Sequence, residues 1–157
     1  MEQWDDPVRK EHRALEVQVG QLAATLRLDE VDDEYRMILR AMVGGLRAML
    51  EQHLAREERA LFPVLERLLG QQASTVALLH TEHQALRTHL QRLTELLHRD
   101  GPPPRREISE EGRQFIELLH NHEKTEDRLL LDVLRYSLPP AELDLISRSL
   151  AGETPMR

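Results

Sequence analysis

The amino-acid sequence contains no cysteine among its 157 residues. This absence excludes disulfides, thiolate metal sites, iron–sulfur clusters and a cysteine nucleophile. Aromatic residues are scarce as well, with two Phe, two Tyr and one Trp, whereas leucine is abundant. Since a sheet would be richer in Val, Ile and aromatic residues, the composition favours an all-α fold.

Long apolar runs and dense basic runs are also missing. No stretch approaches the ~18 apolar residues of a membrane-spanning helix, and the acidic start of the chain does not resemble a signal peptide. The formal net charge of −7 argues against general nucleic-acid binding. We therefore expect a cytoplasmic protein, a single domain over residues 1–157, with neither membrane nor nucleic acid as partner.

Leucine-rich stripes at helical spacing predict four long helices and a short fifth one. Short connections favour an up-down-up-down four-helix bundle over about residues 6–136. A short C-terminal helix over about 141–150 is expected to cover one end of the bundle. The predicted helices span residues 6–28, 33–69, 73–98, 109–136 and 141–150.

The second predicted helix contains several residues that disfavour a regular helix. Gly44 and Gly45 are expected to weaken its middle. Pro63 is expected to kink or interrupt it, because proline lacks the N–H and clashes with the preceding turn. Gly70 is expected to end it.

Histidine is the unusually frequent residue, with eight in the chain. A His and a Glu four residues apart share one face of a helix, and this His-x-x-x-Glu pattern occurs twice. Each copy follows an earlier Glu-His pair at a similar distance, so the pattern is an internal duplication. The duplicated polar residues are His12, His53, Glu57, His83, His122 and Glu126.

These six residues lie on otherwise apolar stripes. At about 1.5 Å per residue, the four imidazoles fall within a few ångströms of one height in the predicted bundle. A single histidine on such a stripe is usually a satisfied core residue, and a single His-x-x-x-Glu pair is usually on the surface. Buried together without a counter-charge, however, the six would be strongly destabilising. A bound cation removes this cost, so we interpret them as metal ligands.

Imidazole and carboxylate donors without thiolate suit iron, manganese or zinc. The duplication predicts two ions, one bound by His12 and His53 and the other by the two later histidines. The two glutamates are placed to bridge the ions. Such ions would keep positions open for water, O2, peroxide or NO.

The other histidines divide by their angle around the helix axis. His80 precedes His83 by three residues, so it is a candidate extra nitrogen ligand. His89 and His120 point away from the ligand face, and His98 lies near a helix end. We expect these three to be solvated.

The residues around the predicted ligands resemble the hemerythrin-like (HHE cation-binding) family over nearly the whole chain. The resemblance implies a four-helix bundle with a non-haem di-iron centre, bridged by carboxylates and by an oxo or hydroxo group. It implies the same six ligands. Zinc and manganese, which the donor types also suit, are the expected substitutes for iron. The motifs are Glu11-His12-x-x-Leu15, His53-x-x-x-Glu57-Glu58-x-x-Leu61-Phe62-Pro63, Glu82-His83-x-x-Leu86 and His122-x-x-x-Glu126-Asp127-x-x-Leu130.

Two features depart from the oxygen-carrying hemerythrins. Their third helix carries two histidines four apart, whereas Leu79 stands four residues before His83 here. Their last helix has His-x-x-x-x-Asp rather than the His122-x-x-x-Glu126 of this chain. Both departures disfavour a reversible oxygen carrier, unless His80 takes the missing role. They bring the chain nearer to family members that sense iron or oxygen, handle peroxide or NO, or repair iron centres.

Two classes of function follow. The first is a di-iron protein that binds or reacts with O2, peroxide or NO in oxidative or nitrosative stress, or that senses iron or oxygen. The alternative is an iron-responsive sensor or interaction module without catalysis, or a structural metal-binding bundle. Enzymatic turnover of peroxide or NO and the oligomeric state are left open at this point.

Overall fold

The computed structural model describes residues 5–28, 32–70 and 74–152, and these ranges contain helices and connections but no strand. The fold is all-α, as predicted. A π-helical turn, Glu126–Leu130, joins the fifth helix to the sixth. The helices are α1 (Asp6–Leu26), α2 (Asp33–Ala60), α3 (Phe62–Leu69), α4 (Ser74–His98), α5 (Arg105–Thr125), α6 (Leu131–Ser137) and α7 (Pro140–Leu150).

Helices α1, α2, α4 and α5 form the bundle, in which each packs against the next and α5 returns to α1. The side chain of Asp32 accepts a hydrogen bond from the backbone N–H of Tyr35 at 2.8 Å and so caps the start of α2. Pro63 separates α2 from α3 and lies in the first turn of α3, where its missing N–H costs least. Gly70 ends α3 with a positive φ of 52°.

Three predicted helix positions need correction. The fourth helix begins at Arg105 rather than at residue 109, with Pro104 at its N-cap. It is also not one regular α-helix to residue 136, because the π-helical turn interrupts it after Thr125. Helix α1 ends at Leu26 rather than at residue 28. Gly44 and Gly45 do not interrupt α2.

The apolar core forms two clusters, one on each side of the layer that contains the predicted ligands. The larger cluster fills the bundle interior and includes Leu15, Leu50 and Leu86. The smaller cluster is closed by α7 and includes Leu61 and Leu134. The C-terminal helix therefore covers one end of the bundle, as expected. In the described ranges, no helix combines the length and apolarity needed to cross a membrane.

Two apolar residues that helical spacing assigns to the core stripes are exposed instead. Ile38 is 47% exposed, because the buried stripe of α2 runs through its neighbour Leu39. Val133 is 36% exposed and Leu134 is buried in its place. The π-helical turn explains the second shift, since it holds an extra residue and rotates everything after it.

Candidate metal centre

The structure brings the six predicted ligands together in the interior of the bundle. His12 comes from α1, His53 and Glu57 from α2, and His83 from α4. His122 lies in the last turn of α5, and Glu126 is the first residue of the π-helical turn. All six are buried, and His12 is the most accessible at 6% exposed.

The six side chains form two groups of four possible ligand atoms that share both glutamates. In the first donor group, the Nε2 atoms of His12 and His53 are 3.1 Å apart. Glu57 Oε1 lies 3.0 Å from His53 Nε2, and Glu126 Oε2 lies 3.2 Å from His12 Nε2.

The second donor group repeats this arrangement with the remaining oxygens. The Nε2 atoms of His83 and His122 are 3.1 Å apart. Glu57 Oε2 lies 3.2 Å from His83 Nε2, and Glu126 Oε1 lies 2.6 Å from His122 Nε2. Each carboxylate thus presents one oxygen to each pair of imidazoles, which is the arrangement expected of a bridging ligand.

The donor geometry fits metal ions better than hydrogen bonds. Two ligands that are each about 2.1 Å from one ion, at roughly a right angle, lie about 3 Å apart. Both oxygens of Glu57 and both of Glu126 are buried without a hydrogen-bond partner among the described residues. Buried carboxylate oxygens without partners are costly, whereas a cation between the donors would satisfy all four.

A second set of acidic side chains, here called the outer carboxylates, binds the Nδ1 atom of each of the four imidazoles in the donor groups. His53 Nδ1 donates to Glu11 at 2.7 Å, and His83 Nδ1 donates to Glu58 at 2.9 Å. The remaining pairs are His122 Nδ1 with Glu82 at 2.7 Å and His12 Nδ1 with Asp127 at 3.2 Å.

The outer carboxylates act in a ring around the bundle. Each acid lies on one element and binds an imidazole of the next element around the bundle. The acid of α1 binds the imidazole of α2, the acid of α2 that of α4, and the acid of α4 that of α5. The acid of the π-helical turn binds the imidazole of α1 and closes the ring. Accepting the Nδ1 proton fixes the tautomer in which the Nε2 lone pair faces the interior. This is the tautomer that metal ligation through Nε2 requires.

All four outer carboxylates belong to the sequence motifs around the predicted ligands, but the motif pattern predicts no role for them. The available signal was their position, because each stands next to a predicted ligand in the chain. Successive residues of a helix point in directions about 100° apart. Each outer carboxylate therefore points away from the predicted ligand beside it in the chain and toward the adjacent helix. Two of them are ion-paired in turn, Glu11 with Arg56 and Glu58 with Arg87.

The electrostatics of the centre call for positive charge. Burial opposes protonation of His53, but the charge of Glu57 and the hydrogen bond to Glu11 outweigh it and raise the pKa of His53 to about 10. Burial alone would raise the pKa of Glu57, yet the surrounding imidazoles lower it. Two ionised glutamates thus require either protons on the imidazoles or metal cations between them.

Glu123 is a buried acid near the first donor group that sequence reasoning missed. Its Oε1 atom has no hydrogen-bond partner among the described residues. Burial raises the pKa of Glu123 to about 7, although His12 and His53 act in the opposite direction. Its only sequence signal is its place beside His122.

The other histidines lie outside both donor groups. His80 is exposed and its ring contacts Phe62 edge-on, with centroids 4.6 Å apart, so the structure does not place it among the ligands. His98 is exposed, as expected. His89 and His120 are only half-exposed rather than fully solvated, and His89 Nδ1 donates to Glu111 at 2.5 Å.

Comparison with known proteins identifies the family. The model of the hemerythrin HHE cation-binding domain matches residues 5–134, which include the six predicted ligands and all four outer carboxylates. No curated protein matches the chain. The match covers most of the chain, and the buried His and Glu groups within it are those a metal-binding bundle needs. The chain therefore belongs to the hemerythrin HHE cation-binding domain family.

Proposed function

We propose that this protein holds two non-haem iron ions and binds or reacts with O2, peroxide or NO, in defence against oxidative or nitrosative stress or in sensing iron or oxygen. The observation that carries the proposal is the pair of buried donor groups that share Glu57 and Glu126. Each group offers two imidazole nitrogens and two carboxylate oxygens.

The donor set favours iron among the metals that it would accept. Nitrogen and oxygen donors without thiolate suit iron, manganese and zinc. Four protein donors per ion leave further positions free on a metal that prefers six, as non-haem iron does. Iron, when bound, would supply open coordination positions and a change of oxidation state.

The protein's own residues would hold the ions, orient the imidazoles and exclude water. The outer carboxylates keep the four Nε2 atoms directed inward, and the two apolar clusters enclose the layer from both sides. Because the donor residues are almost inaccessible to solvent, only a very small molecule could reach them without a large movement of the helices. This restriction supports a diatomic gas or peroxide as ligand.

Visible spectroscopy of the ferrous protein tests the proposal. We expect absorption changes on adding O2, NO or hydrogen peroxide, and metal analysis should give about two ions per chain. His53→Ala should lose iron and the spectral changes. The matched variant His89→Ala should keep both, because His89 contacts Glu111 rather than a donor residue. Iron-loaded protein that is inert to all three reagents would rule out this function.

An iron-responsive sensor or interaction module is the second candidate. It is favoured by the break between α2 and α3, which lies only four residues beyond Glu57 at Leu61. Loss of metal could loosen the bundle there. The helicity and protease resistance of metal-free and metal-loaded protein should then differ. A stoichiometric zinc content in protein from iron-replete cells would instead indicate a structural bundle.

A further inference from the structure

An open cleft outside the metal centre lies between the start of α1 and the end of α7. Its volume is about 870 Å³, which is in the range of small-molecule sites. Apolar side chains such as Ala14 and Leu150 form part of its wall, and Ser147 adds a hydroxyl group. Arg56 of α2 also lines it.

The cleft concentrates positive charge on a protein whose overall charge is −7. Lys10, Arg13 and Arg148 line it, are exposed, and form no ion pair with any residue that the structure describes. Three unpaired cations around one concavity repel each other, and an anion between them would remove that repulsion.

The two acidic residues of the cleft are already engaged. Glu11 accepts a hydrogen bond from Arg56 through one oxygen and from His53 Nδ1 through the other. Asp6 also has an interaction of its own. Neither carboxylate forms an ion pair with Lys10, Arg13 or Arg148.

We propose that this cleft is a binding site for a small soluble anion that carries a phosphate group. Arginine presents a planar fork of N–H donors that matches the oxygens of phosphate, and lysine adds a point charge. The mixture of cations, one hydroxyl and apolar wall suits a compact organic phosphate. The site would also adjoin the metal centre, since Arg56 is joined through Glu11 to His53.

Calorimetric titration with inorganic phosphate in chloride-free buffer tests the proposal, using metal-loaded and chelator-treated protein. We expect binding in both preparations. The double variant Arg13→Ala/Arg148→Ala should bind at least about tenfold more weakly, because it loses two charge-assisted donors. The control Arg27→Ala/Arg92→Ala removes the same charge from exposed positions that do not line the cleft, and should bind within about twofold of the parent.

Several outcomes would overturn the assignment. Absence of phosphate binding would show that the cleft is not a phosphate site. An equal loss of affinity in both double variants would show that only general electrostatic attraction holds the phosphate. Binding that disappears with the metal alone would place phosphate on the ions rather than in the cleft. A parallel sedimentation assay uses vesicles of phosphatidylcholine with and without phosphatidate. Cleft-dependent binding to the phosphatidate vesicles without binding of free phosphate would assign the site to a lipid headgroup.

Discussion

At the scale of single residues, the acidic side chains of the centre form two sets, an inner pair of glutamates and the outer carboxylates. The inner glutamates face the imidazole Nε2 atoms, and the outer acids accept the Nδ1 protons. Arg87 donates to both Glu58 and Glu51, but only Glu58 touches an imidazole, that of His83. The chain therefore contains two acids with the same arginine partner and different relations to the site.

Glu58 and Glu51 therefore allow a matched test of the outer carboxylates. Glu58→Ala should weaken metal binding by about 10–100-fold, because the ring of His83 loses the acceptor that fixes its tautomer and orientation. Glu51→Ala should leave metal affinity nearly unchanged, although it also removes a partner of Arg87. Competition with a chelator of known affinity measures both. Similar losses in the two variants would show that only the charge near Arg87 matters.

Glu123 is expected to make stability depend on pH in the metal-free protein. Its pKa is raised by burial from 4.5 to about 7, so the folded state resists an ionisation that the unfolded state undergoes freely. Stability is therefore lost as pH rises through this range, by up to about 3 kcal/mol. Glu123→Gln should match the parent at pH 4.5 and be more stable at pH 8.

Urea denaturation of chelator-treated protein at the two pH values measures this difference. Glu117→Gln, an exposed change on the same helix, serves as the control and should show little gain at either pH. If Glu123→Gln gained the same stability at both pH values, its effect would come from packing rather than from ionisation.

The sequence indicated the buried donor residues more clearly than the residues that support them. His12, His53 and Glu57 could be recognised because a polar residue on a leucine-rich stripe requires an explanation. Glu11 and Glu82 lie beside the stripe, where acidic residues are ordinary solvent-facing residues on most helices. Only the packing of neighbouring helices shows that they reach an imidazole.

At the scale of secondary-structure elements, the π-helical turn is the feature that periodicity could not predict. Its sequence, Glu126–Leu130, satisfies an α-helical pattern as well as a π-helical one. The extra residue becomes visible only downstream, where Leu134 rather than Val133 joins the smaller cluster. A π-helical turn beginning at a proposed ligand agrees with the frequent occurrence of such turns at functional sites.

Helix α2 contains an element-scale weakness that can be removed. Gly44 and Gly45 have ordinary helical backbone, and a Cβ atom at either would meet nothing within 4 Å. Each Gly→Ala change should stabilise the protein by about 0.5–1 kcal/mol, because alanine loses less conformational freedom on folding. Chemical denaturation measures the gain.

Gly112 provides the contrasting position. A Cβ atom there would lie 2.6 Å from Leu26 Cδ1, so the leucine must move before the helix can benefit. Gly112→Ala should therefore gain less than Gly44→Ala, or lose stability. If all three changes gave the same gain, helix propensity alone would account for them and the packing of α1 on α5 would be looser than the structure indicates.

At the scale of the whole molecule, the donor layer joins the two apolar clusters. One side of the layer is the long bundle interior, and the other is the end closed by α7. The layer contains two buried carboxylates that cannot be satisfied by the leucines above and below. The fold thus places its most polar layer at the junction between its two cores, where the state of that layer affects both.

Metal removal should therefore lower stability and loosen the α7 end first. An ion present at about 100 times its Kd stabilises by about 2.7 kcal/mol, which corresponds to roughly 5–10 °C in Tm for a domain of this size. Calorimetry before and after chelation measures the shift, and amide hydrogen exchange should accelerate more around Leu134 and Ile146 than around Leu93. His53→Ala should resemble the chelated parent and be insensitive to added iron. Identical Tm values and exchange patterns with and without metal would mean that protons on the imidazoles satisfy the buried glutamates as well as a cation does.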